Sequence, residues 1–211
     1  MIRAIGKKIT PAISVPFRKQ SSATAIHVEP TKADRIIADV AARTTEPWLQ
    51  KLARGLAWGA DEKVWLALTS VAWLVTRSQS SRVRATTTHA LVVTVAASAL
   101  PHALKAIFDQ TRPDRTTLRG HLHGVAPSGH AQDAFPSGHA LHMGALYSAA
   151  GPLPARARIA VRSAAVGLSI TRVMLLAHWA SDVVVGFMLG AALERSLRPW
   201  TGYEPPGASR T

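Results

Sequence analysis

Three short stretches of the chain gather side chains suited to holding an oxyanion and reacting at it. In Lys105 to Pro113 (KAIFDQTRP), Lys105 and Arg112 stand seven residues apart, two helical turns, and share a face if a helix continues through them. Two cations converging at a helix end attract an anion, although the same placement also suits basic anchors at the end of a membrane span. In Phe135 to Ala140 (FPSGHA), Pro136 pre-sets a turn and Ser137 suits the cap of a following apolar helix. Gly138 lets an oxyanion approach the free N–H groups there, and His139 stands beside it in the first turn; an ordinary cap with an incidental histidine has the same sequence. In Thr171 to Asp182 (TRVMLLAHWASD), His178 and Asp182 lie at i and i+4. That spacing lets a carboxylate hold one imidazole nitrogen and leave the other free as nucleophile or base. Arg172, six residues before His178, adds a third cation.

The elements that must position these groups are helical. Residues 33–58 carry apolar residues at helical spacing mixed with Asp39, Arg43, Glu46, Lys51 and Arg54. They read as one or two amphipathic helices, broken near Pro47, either lying at a membrane interface or packing on a bundle. Uncharged stretches follow. Val64 to Thr76 is short for a span, whereas Ala85 to Leu104 runs for 20 residues without a charge and contains Pro101 as a possible kink. Ala140 to Leu153, Ile159 to Leu176 (interrupted by Arg162 and Arg172) and Trp179 to Leu197 (interrupted by Asp182) complete the series. A charge within a span costs about 2.5–3.5 kcal/mol on insertion scales, so Arg172 and Asp182 are either functional or paired with each other. Small residues such as Gly144, Gly186 and Gly190 permit close helix approach. Alternating patterns and hairpin dipeptides are missing, so no strand is expected.

Composition agrees with this organisation. The 211 residues include 25 Lys and Arg against 12 Asp and Glu, a formal charge of +13, yet only 18% are charged and 47% are hydrophobic. A nucleic-acid binder of that charge would carry more charged residues, while basic loops between uncharged runs suit a membrane protein. With no cysteine, disulfides and thiolate metal sites are excluded. The first twenty residues are basic but lead into no apolar core of signal-peptide length. Segment 1–32 reads as a basic tail, drawn to anionic lipid or simply unstructured.

Taken together, the three clusters supply cations, N–H donors, a nucleophile and an acid, which is what phosphoryl transfer requires. Their order and spacing resemble the signature motifs of the type 2 phosphatidic acid phosphatase family, which also includes bacterial acid phosphatases and vanadium haloperoxidases. Lys-x6-Arg-Pro is met by Lys105, Arg112 and Pro113; Pro-Ser-Gly-His by Pro136 to His139; and Ser-Arg-x5-His-x3-Asp by Arg172, His178 and Asp182, with Thr171 in place of Ser. Pro-Ser-Gly-His also occurs at Pro127 to His130. The second copy is the expected catalytic one, because it leads straight into an apolar helix and Pro136 would break a helix begun at Ser128.

The resemblance, which spans roughly residues 60–197, implies an all-α, integral-membrane bundle of about five to six helices with the active site at one membrane face. The phosphatase domain would be residues 59–200, followed by a tail at 201–211. It implies a metal-independent lipid phosphate or diphosphate phosphatase with no cofactor, whose partners are its lipid substrate and the surrounding lipids. By resemblance His178 attacks phosphorus, Asp182 orients it, and His139 protonates the leaving oxygen. Lys105, Arg112, Arg172, Ser137 and Gly138 cradle the phosphate, no residue ligates a metal, and Asp114 is a candidate to orient Arg112. A soluble acid phosphatase of the same fold, a vanadium haloperoxidase and an inactive anionic-lipid-binding protein are the competing readings. With all three clusters on one face, the Arg-rich loops 77–84 and 154–162 and the C-terminus fall on the other. The positive-inside rule makes that face cytoplasmic and turns the site toward the periplasm or exterior of a bacterial plasma membrane. Five spans put the N-terminus on the site side unless residues 33–58 also cross.

Overall fold

The structure is a computed structural model that describes residues 26–44, 46–116 and 130–203. The first Pro-Ser-Gly-His copy lies outside the described residues except for His130, as do most of the N-terminal tail and residues 204–211. Helix α1 (Lys32–Thr44) and helix α2 (Pro47–Ala57) flank Glu46, so the break expected near Pro47 is present, with Pro47 opening α2. A 3-10 turn at Trp58–Ala60 leads to α3 (Glu62–Val75), capped by the Asp61 carboxylate accepting from the Lys63 N–H at 2.9 Å. Helix α4 (Ser81–Ile107) runs through Pro101. The one-turn α5 (Pro113–Thr116) is followed by α6 (Gly138–Ala149), α7 (Ala155–Met174) and α8 (Ala180–Thr201). One expectation fails: strands β1 (Ile26–His27) and β2 (Phe108–Asp109) form a parallel pair. Two residues are too few for an alternating pattern, so nothing in the sequence could announce them.

Five helices run along the bundle in turn. At one end the close of α4 (Lys105), the start of α6 (Ser137), the close of α7 (Arg172) and the start of α8 (Asp182) come together. At the other, the Thr76 hydroxyl after α3 meets Thr87 of α4 at 2.8 Å, and His89 of α4 meets Thr201 of α8 at 2.7 Å. Near it the buried Glu194 of α8 accepts from Ser148 of α6 at 2.6 Å and from Arg198 at 2.8 Å. Arg162 of α7 donates to the Tyr147 carbonyl of α6 at 3.3 Å.

Helix α6 is the buried centre, and its principal contact is α8. Glycine makes that contact possible. A Cβ on Gly186 would stand 2.5 Å from the Ser137 carbonyl oxygen, and one on Gly144 or Gly190 would collide with the Phe187 or Leu141 carbonyl. Large apolar side chains stand on the outer surface of the helices. Leu68, Leu74 and Val75 on α3, Val95 on α4, Ile159 on α7 and Met188 on α8 are all exposed. At 1.5 Å per residue α4 is about 40 Å long, and among the described residues it is the one helix long and apolar enough to cross a membrane. A lipid-facing bundle accounts for apolar side chains on the outside and polar ones within.

Candidate active site

The segment between α7 and α8 turns sharply, with Leu176 in the left-handed region at φ 52°. The Arg172 carbonyl accepts from the N–H groups of Ala177 and His178 at 3.0 and 3.3 Å, and the Leu176 carbonyl accepts from Asp114 N–H at 3.0 Å. His178 is thereby held inside the bundle end, 3% exposed. Its Nδ1 lies 2.6 Å from the Ala134 carbonyl. A carbonyl can only accept, so Nδ1 carries the proton and Nε2 keeps its lone pair. Burial drives the imidazole well below its usual pKa, and Arg112, Arg172 and Lys105 push it the same way. A neutral imidazole with a free Nε2, in the field of three cations, suits attack on an electrophile that carries negative oxygens.

Asp182 stands 4.0 Å from Nδ1, outside hydrogen-bonding range. Its Oδ2 accepts from the Trp179 N–H at 2.9 Å, and its Oδ1 is buried with no hydrogen-bond partner among the described residues. The backbone of Ala134 thus has the tautomer-setting contact that the i, i+4 spacing suggested for Asp182. The Asp182 carboxyl closes the first turn of α8 through the Trp179 N–H.

Ser137 is the cap of α6, as its position implied: its hydroxyl oxygen accepts from the Ala140 N–H at 3.4 Å. The Ser137 N–H donates to the Asp182 carbonyl at 3.2 Å, which fastens the second cluster to the third. Gly138 and His139 are half-buried in the first turn. The Phe135–Pro136 peptide bond is cis.

The first cluster is bridged by a residue the sequence did not single out. Asp133 accepts from Arg112 Nε at 2.8 Å and lies 3.6 Å from Lys105 Nζ. Burial raises its carboxyl, but Arg112 and Lys105 outweigh that and hold it below the ordinary carboxylate value. Asp133 therefore spans the two cations of the first cluster and accepts from Arg112, the residue Asp114 was a candidate to orient. Arg112 also donates to the carbonyls of His130 and Ala177, each at 3.0 Å, which joins the first cluster to the third and to the segment that leads into the second. Arg172 is different: its Nε is buried with no hydrogen-bond partner among the described residues. The structure thus gathers Lys105, Arg112, Ser137, Gly138, His139, Arg172, His178 and Asp182 at one end of the bundle. His130 contributes a backbone carbonyl, and its side chain is exposed.

A helical bundle with apolar side chains on its outside, whose one end gathers a buried histidine, three cations and a glycine-bearing helix start, has the layout of a membrane protein with a site suited to an oxyanion. The sequence model of the PAP2 superfamily matches residues 86–205, more than half of the chain, and the protein belongs to that family. Among solved structures, it is similar to the first transmembrane PAP2 type phosphatidylglycerolphosphate phosphatase from Bacillus subtilis. The TM-score is 0.63 at 23% identity, covering 81% of this chain and 85% of that one, a likeness of fold. A comparison with curated proteins gives no match.

Proposed function

We propose that the protein is a membrane phosphatase that hydrolyses a lipid phosphate or diphosphate through a phosphohistidine on His178. The observation that carries this reading is the state of His178: Nδ1 tied to the Ala134 carbonyl, Nε2 free, and Lys105, Arg112 and Arg172 around it. In the first step Nε2 attacks phosphorus, the bond from phosphorus to the lipid oxygen breaks, and His139 gives that oxygen a proton. In the second, His139 takes a proton from water, whose oxygen attacks phosphorus. The P–N bond breaks and inorganic phosphate leaves. The three cations and the start of α6, with Ser137 and Gly138, stabilise the charge on the equatorial oxygens throughout.

Charge stabilisation by side chains makes a metal unnecessary, so the reaction proceeds in chelator and vanadate inhibits it. Exposed apolar side chains on α3, α4, α7 and α8 favour a substrate met in the bilayer over a soluble ester. The Arg-rich end of the bundle, with Arg158, Arg162, Arg195 and Arg198, faces the cytoplasm under the positive-inside rule, which turns the site outward. The decisive experiment is phosphate release from a panel of lipid phosphates and diphosphates in detergent with chelator present. No release from any of them, or release that depends on added divalent ion, would sink the reading.

A further inference from the structure

Helix α1 lies outside the region that matches the family, yet it is built into the wall of the catalytic end. Asp34 in its first turn is 2% exposed. One oxygen accepts from the Ser181 N–H at 2.9 Å. The other accepts from the Ser181 hydroxyl at 2.8 Å, the Thr31 N–H at 2.9 Å and the Thr31 hydroxyl at 2.8 Å. Ser181 sits in the first turn of α8, three residues beyond His178 and beside Asp182. A carboxylate placed at that helix start is favoured both by the free N–H groups and by the helix dipole.

The same helix touches the rest of the His178 segment. Ala38 and Ala42 form a buried cluster with Ala134, Leu176 and Trp179. Ala134 is the residue whose carbonyl sets the His178 tautomer, and Leu176 is the residue with positive φ. A non-glycine residue in that conformation persists only where its surroundings over-determine it. Trp179 follows His178 directly, and its indole N–H donates to the Thr111 carbonyl at 2.8 Å. Strand β1, just before α1, pairs with β2, which precedes Arg112.

We infer that Asp34 is a positioning residue for His178: with Ala38 and Ala42 behind it, it fixes the start of α8 and the turn that presents the nucleophile. Small residues at 38 and 42 are required because the helix must come close to that turn. The inference rests on the reading of His178 as the nucleophile, and one of its two tests is independent of that reading.

The first test compares the full-length chain with Asp34→Ala, Asp34→Asn and Ala38→Leu in detergent, using phosphatidic acid in mixed micelles. Asp34→Ala lowers kcat at least about tenfold with KM within about twofold, because the loss lies in the reacting geometry. Asp34→Asn, which keeps an acceptor for the Ser181 N–H, recovers part of the rate. Ala38→Leu, which crowds Leu176 and Trp179, shows the same selective loss and stands in if Asp34→Ala fails to fold. Unchanged kcat per folded molecule, or a rise in KM alone, in the variants that fold overturns the inference. The second test is hydrogen exchange of peptides covering residues 175–185, which needs no substrate. Faster exchange confined to that segment in Asp34→Asn or Ala38→Leu supports the inference. Exchange there equal to the unmodified protein, or loosening spread evenly over α4 and α7, overturns it. If the unmodified protein released no phosphate but the exchange result held, the proposed function would fail while the positioning role stood.

Discussion

His178 carries the strongest commitments at the scale of single residues. His178→Ala should abolish the covalent phosphoenzyme in a rapid-quench experiment with radiolabelled lipid phosphate, and label on the unmodified protein should be acid-labile and base-stable. Label that still accumulates on the alanine variant would place the nucleophile elsewhere. Asp182→Asn should slow formation of the intermediate without preventing it, because the Ala134 carbonyl still sets the tautomer. His139→Ala should reduce turnover by on the order of 10²-fold or more, the usual contribution of a general acid, whereas His130→Ala should leave it nearly intact. The contact His130 makes to Arg112 uses its backbone carbonyl, which alanine retains. Turnover lost in His130→Ala and kept in His139→Ala would reverse the motif assignment. The side chains of the site were legible in the sequence because their types and intervals are themselves the signal. The Ala134 carbonyl was not, since a backbone acceptor leaves no mark in residue type. Asp133 was missed because it sits in a loop, where no periodicity assigns it to a face, and only the fold carries it to Lys105 and Arg112.

Elements set the distances that those residues need. Gly190→Ala should force α6 and α8 apart, destabilising the protein by about 1–3 kcal/mol and lowering activity, since one helix carries His139 and the other follows His178. Gly167→Ala on α7 is the matched control. A Cβ there meets nothing within 4 Å, so helix propensity alone should leave stability unchanged or raise it by up to about 1 kcal/mol. Thermal unfolding in detergent separates the two, and equal effects would show that close approach is not what the α6–α8 glycines provide. Acid should loosen the α1–α8 junction. Burial raises the Asp34 carboxyl, but hydrogen bonds from Ser181 and Thr31 outweigh it and leave the folded group below the ordinary carboxylate value. A depressed carboxyl adds stability above its unfolded pKa and loses it as pH falls through the folded one. Unfolding followed from pH 6 downward should therefore show destabilisation setting in below about pH 4, smaller in Asp34→Asn; identical acid profiles would remove Asp34 from the account. Most helices were legible from their uncharged runs and from Pro47. The docking of α1 was not: 33–58 suits a membrane interface and a bundle equally, and Asp34 looks like any charge on an amphipathic helix until Ser181 is brought beside it.

At the scale of the whole molecule, the described chain starts and stops at different ends of the bundle. Strand β1 is paired beside the catalytic end, and Tyr203 stacks on His89 at the other, with ring centroids 4.6 Å apart. The sequence left the side of the N-terminus open, because five spans put it on the site side unless residues 33–58 also cross. With α1 packed on the His178 turn, five helices, α3, α4, α6, α7 and α8, run between the two ends. A chain without cysteine makes this easy to check. A single cysteine replacing His27 should react with a membrane-impermeant maleimide in intact cells, and one replacing Tyr203 only after lysis. Equal reactivity at both would contradict an odd number of crossings. Under the function proposed above, a catalytic site confined to one end of the bundle also gives the reaction a direction. Phosphate freed at the catalytic end enters one aqueous compartment only, while the dephosphorylated lipid stays in the leaflet it came from. Each turnover then moves phosphate from a membrane headgroup to one chosen side, and hydrolysis becomes vectorial without any transport step.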